Sequence, residues 1–401
     1  MNVKEDLCRT FALTRQNLRL LGIWPDPDIS LSDFRRPKLR CIIVMCIISI
    51  YVFMPQLLNT IRSWGNVSLM VQHISVVNYC ILAFFNLSVT WYHGKSLRTL
   101  IKLITVDWTT AKETWKRNTM LKFARRGRNL SYGTYMCSMI SALFYLLSNL
   151  LKLYRNLHQP VGQRKFIYQI TYSYNIKKSP TYEITYLIQI FGGLSTAVIN
   201  VTTDCFIGIL LLHISAQLIN LRMMLNILVK KLVEKSISFS TFKKELAAIV
   251  VRHENLIRRT ERINNCYSTE ALIYMIATTF HMCLQTFQLF MIISSEGKNI
   301  SIMQIGFRAL YLTGQLLRLY IHCYSSEQLM AESTNMAYGV YECQWYDLPS
   351  KNAQDLMFIV YQSRIPLKMR AGKFAIFSME MFGTLVKTSM GYLSMLLTIR
   401  N

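Results

Sequence analysis

The chain has 401 residues, is 52% hydrophobic and only 16% charged, and has a positive mean hydropathy. A soluble domain of this size carries about 25% charged residues, so the composition excludes an ordinary soluble protein and points to a membrane protein. The net charge of +24 does not signal nucleic-acid binding, because the cations lie in loops between apolar runs.

Segment 1–40 comes first. Lys4, Glu5, Asp6, Arg9, Arg15 and Arg19 leave no apolar stretch for a signal peptide, so the first apolar run is expected to serve as a signal anchor. Seven runs then have the length of a membrane helix, over 41–61, 68–92, 130–153, 183–217, 268–294, 301–324 and 374–399. The fourth and sixth carry more polar residues than a lone lipid-exposed helix, which fits helices packed on one another. Of the 45 Lys and Arg residues, 33 fall in segments 1–40, 93–129, 219–264 and 325–373, and only 9 in the alternate segments. Positive loops favour the cytoplasm, so the N-terminus is expected inside and the C-terminus outside. All ten cysteines lie in spans or in segments expected to be cytoplasmic, which leaves no external disulfide framework. Asn66 and Asn299 begin glycosylation sequons close to the membrane on the outer side.

Between spans three and four, residues 155–183 are unusually aromatic for a loop. Phe166, Ile167, Tyr168, Ile170, Tyr172 and Tyr174 either pack over the helix ends or form a lid on a cavity. Segment 219–264 has two helical stripes, Leu221, Leu225, Leu228 and Leu232, then Phe242, Leu246, Ile249, Leu256 and Ile263, separated by ISFST. They read as cytoplasmic extensions of spans four and five. Residues 351–369 contain a short helix closed by Pro366.

No Gly-rich phosphate loop, CxxC pair, HExxH or nucleophile elbow is present, and no histidines pair at metal-ligand spacing. Neither catalysis nor a cofactor or metal is expected. His73, His213, His281 and His322 fall in spans, where hydrogen-bonded packing is the expected role. Charges in spans are costly and usually face a cavity or a partner. Here they are Asp204, Glu270, Arg308, Arg318, Glu380 and Lys387. Glu270 and Arg318 are expected to snorkel, Asp204 to be solvated, and Glu380 and Lys387 to pair or to line water. On the last span Thr384, Lys387, Thr388, Gly391, Ser394, Met395 and Thr398 form one stripe. Phe382, Leu385, Met390, Leu393 and Leu397 lie opposite. Such a stripe either glues helices together or lines a water path, with Tyr392, Met395 and Ile399 offering bulk for a constriction.

Three stretches carry a resemblance. RLLGIWP (Arg19 to Pro25), YECQWYDLP (Tyr341 to Pro349) and the tail GKFAIFSMEMFGTLVKTSMGYLSMLLT (Gly372 to Thr398), with its KTS…Y element at Lys387, Thr388, Ser389 and Tyr392, resemble an insect odorant receptor of the ligand-tuning type. The resemblance covers the whole chain. It implies an all-α membrane protein of seven transmembrane helices, a subunit of a tetrameric, odorant-gated, nonselective cation channel normally formed with the olfactory coreceptor, Orco. It implies a cytoplasmic segment 1–40, spans one to six with ligand pocket and helix extensions over 41–324, a cytoplasmic anchor segment with a short helix over 325–373, and a pore-lining span over 374–399. Aligned on Tyr392, the pore and gate fall on Thr384, Lys387, Thr388, Gly391, Tyr392, Met395, Thr398 and Ile399. Residues at the depth of the family's odorant pocket are His73, Val77, Tyr145, Tyr186, Ile190, His281, Ile305 and Tyr311. The implied partners are Orco, a small volatile organic ligand and membrane lipids, with no nucleic acid. The implied location is the plasma membrane of olfactory sensory neurons, at the dendrite.

Rival classes fit less well. A G-protein-coupled receptor would carry an external cysteine, an Asp-Arg-Tyr element and an Asn-Pro-x-x-Tyr seventh span. A gustatory receptor, the homotetrameric relative gated by tastants, would carry Thr-Tyr-x-x-x-x-x-Gln-Phe in the final helix. A transporter or membrane enzyme would show repeat symmetry or a catalytic cluster. None of these is present.

Overall fold

The computed structural model describes residues 3–26, 35–169, 178–294 and 302–400. They form a bundle of helices α1 (Val3–Leu20), α2 (Arg35–Ile48), α3 (Met54–Arg62), α4 (Val67–Tyr92), α5 (Gly94–Thr110), α6 (Thr114–Leu157), α7 (Thr181–Val233), α8 (Phe239–Ile293), α9 (Ile302–Glu342), α10 (Ser350–Ser363) and α11 (Met379–Arg400). A two-residue antiparallel ribbon, β1 (Arg370–Ala371) with β2 (Ala375–Ile376), precedes the last helix. Five of the described helical stretches are long and apolar enough to cross a bilayer: Pro37–Arg62, α4, α6, α7 and α8.

Local chemistry explains several boundaries. Pro55 has no N–H to donate one turn back, and α2 passes into α3 through a π-helical turn at Ser49–Phe53 just before it. The Asn66 side chain accepts from the Leu69 amide to start α4, and Ser238 does the same for α8 through Thr241. The ISFST break separates α7 from α8 as the stripes predict. The expected short helix near 351–369 is α10, which ends at Ser363, before Pro366.

Helix α7, 53 residues long, spans about 80 Å against a hydrocarbon core of about 30 Å. α8 is similar, with 55 residues. α7 is the central post, with 89% of its apolar window buried, whereas only 11% of the α6 window is. The same apolar composition therefore serves core packing in one helix and an outward face in the other.

Helix α1 docks on this post. Phe11, Trp24 and Phe206 pack ring to ring with centroids 6.1–6.3 Å apart. Gly22 makes the docking possible. Its φ of +75° ends α1 in a Schellman turn, with the Ile23 amide donating to the Leu18 carbonyl at 2.9 Å and the Gly22 amide to Arg19 at 3.1 Å. A Cβ there would stand 2.1 Å from the Pro37 carbonyl oxygen. Gly22→Ala combines left-handed strain of about 1–2 kcal/mol with that backbone clash, so it should lower thermal stability by about 2 kcal/mol or more, read by melting of the purified protein.

Candidate ligand site and last helix

The residues expected at pocket depth fall into two aromatic groups. In the first, Tyr186 and Ile190 of α7 are buried with Leu153, Phe166 and Tyr182, and Tyr145 packs against them. The Tyr186 hydroxyl donates to the Asn149 carbonyl at 3.1 Å. The connecting loop joins this group. Gln189 clamps the Tyr168 backbone, accepting from its amide at 3.2 Å and donating to its carbonyl at 2.9 Å. The Tyr168 hydroxyl then reaches that of Tyr145 at 3.3 Å. The loop over 166–168 therefore folds onto the helices, as its aromatic content suggests. Ile170, Tyr172 and Tyr174 lie outside the described residues.

In the second group, His281 Nε2 lies 2.9 Å from the Tyr311 hydroxyl, and Tyr79 stacks on His281 at 5.4 Å and meets Tyr311 edge-on at 5.8 Å. Val77 and Ile305 are half-buried on α4 and α9, the helices that carry Tyr79 and Tyr311. His73 does something else: its Nδ1 is 2.5 Å from Gln56 Oε1, tying α4 to α3. Sequence reasoning missed Tyr79. It follows Val77 by two residues, about 200° around the helix, and depth alone does not say which of the two faces His281 and Tyr311. Tyr168 was visible only as part of an aromatic loop.

Below the second group lies a fully buried ionic cluster. Arg318 of α9 donates through Nε to Asp204 of α7. Its Nη1 reaches Gln315 at 3.0 Å and the Tyr79 hydroxyl at 3.5 Å. His322 Nε2 lies 3.0 Å from the other Asp204 oxygen. Glu270 of α8 is 1% exposed. Three expectations fail here, because Asp204 is not solvated and neither Arg318 nor Glu270 snorkels. The reason is that all three face the bundle interior, where Asp204 and Arg318 pair with each other in place of water and Glu270 is buried without a partner. The histidines behave as expected, since His213, His281 and His322 are all hydrogen-bonded. A groove of about 370 Å³ along Asn118, Lys122 and Arg125 of α6 lies elsewhere, about 30–40 Å along that helix from Tyr145.

The last helix divides into two faces. Leu385 and Ser389 are buried. Leu393, Leu396 and Leu397 pack on Val71, Leu284 and Phe287, and Phe382 meets Tyr320 edge-on at 6.1 Å. Thr384, Lys387, Gly391, Tyr392, Ser394, Met395 and Thr398 are exposed in the single chain, and Thr388 is half-buried. Met390 is also exposed and departs from the packed face to which its spacing assigned it. The hydroxyls of Thr384, Thr388, Ser394 and Thr398 bond to carbonyls of their own helix at 2.8–3.0 Å. Within the chain they do not glue α11 to a neighbour. No ion pair joins Glu380 and Lys387 among the described residues. The Ile399 side chain and Asn299 fall outside the described residues.

Comparison with known proteins agrees with this architecture. The family model described as 7tm odorant receptor matches residues 66–390. Odorant receptor Or2 of Anopheles gambiae is 20% identical over 395 residues, covering 96% of this chain and 97% of that one. Odorant receptor 13a of Drosophila melanogaster is 23% identical over 248 residues, 59% of this chain and 58% of its own length. The odorant receptor coreceptor of Ooceraea biroi is 24% identical over 152 residues, 38% of this chain and 30% of that protein. Among solved structures, the insect olfactory receptor OR5 from Machilis hrabei in complex with eugenol superposes with a TM-score of 0.81 at 16% identity, over 99% of this chain and 98% of that one. The chain belongs to the insect odorant receptor family. It is a membrane receptor of olfaction and not an enzyme.

Proposed function

We propose that the chain is the odorant-binding subunit of a ligand-gated, nonselective cation channel formed with the olfactory coreceptor as a heterotetramer. It has seven spans, with α9 and α11 supplying the sixth and seventh, the N-terminus in the cytoplasm and the C-terminus outside. The helix extensions over 219–264 and segment 325–373 form a cytoplasmic anchor that carries subunit contacts. The receptor works in the plasma membrane of olfactory neuron dendrites. The observation that carries the reading is the outward stripe of α11. It is polar, its hydroxyls are satisfied internally, and its own subunit leaves it uncovered. A helix with one face packed and the other hydroxyl-lined suits a shared water path.

The odorant site lies in the two aromatic groups, and small apolar volatiles bind there mainly through buried area at about 25 cal/mol per Å². Binding favours the open arrangement because the ligand holds that state more tightly, and Met395 and Ile399 then move away from the axis with Thr398 between them. Odorant-evoked current in cells expressing the chain with and without the coreceptor tests the reading. Current is expected only with both, and its absence in both conditions refutes the assignment. Within that assay Met395→Ala should change basal current without reordering odorants. Ile190→Ala should reorder them, moving the half-maximal concentration of the best ligand by about tenfold or more.

A further inference from the structure

We propose that Arg318 is a two-position cation that moves between Asp204 and Glu270, and that this exchange sets the balance between closed and open arrangements of the last helix. The second half of that statement rests on the channel reading above.

In the structure Arg318 holds Asp204, and Glu270 holds no partner. Arg318 engages Asp204 through Nε, while its Nη2 is buried and has no partner. Both carboxyl oxygens of Glu270 are also buried without a partner. A buried acid left unmatched is expensive, and bundle cores rarely keep one that no state uses. Glu270 lies within electrostatic reach of both Asp204 and Arg318. It also sits one helical turn before Tyr274, whose ring lies 5.8 Å from the guanidinium. Residues four apart share a helix face, so Glu270 presents to the side on which Arg318 already rests. The three ionisable side chains belong to three helices, α7, α8 and α9, so a change of partner reports a change in their packing.

The cluster touches both ends of the gating problem. On one side Arg318 contacts Tyr79, part of the aromatic group with His281 and Tyr311. On the other, Asp204 holds His322, whose ring lies 5.4 Å from Phe377, two residues before α11 begins. If Arg318 leaves, Asp204 keeps His322 as a partner, so only the Asp204-bound position leaves a carboxyl, that of Glu270, wholly unmatched. A charge with two alternative acceptors is a discrete two-state element, the kind of element that energetic coupling between separated sites requires.

Two readouts test the exchange. The first is melting of the purified full-length receptor. Asp204→Asn and Glu270→Gln should each be tolerated in part, because the remaining acid can take the cation, and the double variant should lose far more than the two single losses together. Additive losses would overturn the proposal. The second is current in cells with the coreceptor, normalised to surface-labelled receptor. Glu270→Gln should lower evoked current relative to basal current by about tenfold, equivalent to 1.4 kcal/mol, while Asp204→Asn should raise basal current. A merely structural pair would scale both currents with surface amount and leave their ratio unchanged, which also overturns it. If the melting cycle is non-additive while the wild type gives no odorant current, the channel reading falls and the exchange stands.

Discussion

Arg318→Leu should abolish most surface expression of the receptor. The arginine side chain is 1% exposed and its Asp204 partner 0%. Deleting the arginine leaves the buried Asp204 carboxylate on His322 without its guanidinium partner, and breaking a buried pair in this way costs about 3–5 kcal/mol. That lowers the folded-to-unfolded ratio by a factor of about a hundred or more, a large share of the 5–15 kcal/mol that usually holds a domain together. The mechanism makes two further demands. Arg318→Lys keeps the charge but not the planar fork that serves Asp204, Gln315 and Tyr79 together, so it should fall between wild type and leucine. Replacing both members with leucine should recover much of the loss, because apolar substitution of a whole buried pair is often neutral. Surface labelling and melting in detergent read all three. Wild-type behaviour of Arg318→Leu would show that the pair holds nothing together.

Asp107→Asn should be the second large effect, and it carries a pH signature. Asp107 of α5 accepts from Arg259 of α8 at 2.5 Å and lies 3.1 Å from His213 Nε2 of α7, so one carboxylate ties three helices. Burial opposes its ionisation, but the hydrogen bond and charge of His213, with those of Arg259, outweigh burial and hold its carboxyl below the usual range. A depressed carboxylate stabilises the fold above its unfolded value near pH ~4, and that contribution disappears as pH falls through the folded value. The difference in melting between wild type and Asp107→Asn should therefore be full at neutral pH, about 2–3 kcal/mol, and should shrink below pH ~4. It lies below the Arg318 figure because the Arg259 side chain keeps 13% exposure. A gap that stays constant down to pH ~3 would mean that the charge of Asp107 contributes nothing.

Much of the bundle is legible in the residues. Apolar runs locate α2 to α4 and the apolar parts of α6 to α9. The ISFST break separates α7 from α8, whereas α1 and its end at Gly22 lie in a segment read only as a cytoplasmic stretch. Period alone could not say which charges pair, because pairing depends on neighbours more than a hundred positions away. Asp204 and Arg318 are 114 residues apart and Asp107 and Arg259 are 152 apart. Read against its own helix, Arg318 suggests snorkelling and Asp204 solvation, and nothing local marks Asp107 or Arg259 as partners. Depth was legible but not face: Tyr186 and Ile190 fall in one aromatic group and His281 and Tyr311 in the other, Tyr79 joins the second without having been singled out, and His73 braces α3. The stripe on α11 was legible almost entirely, since a single regular helix displays its own periodicity. Met390 is the exception, exposed because the packed face is narrower than the spacing implied.

The measurement closest to the central claim is cysteine accessibility along α11 in the assembled channel. Single cysteines at Thr384, Thr388, Gly391, Met395 and Thr398, with Leu385 and Leu393 as packed-face controls, would be exposed to a charged, water-soluble thiol reagent during odorant stimulation in cells that also express the coreceptor. The account predicts rapid, irreversible loss of current at the stripe positions and little at the controls or in the unmodified receptor. Stripe positions that stay unreactive while current flows would place that face of α11 away from the conducting path and contradict it.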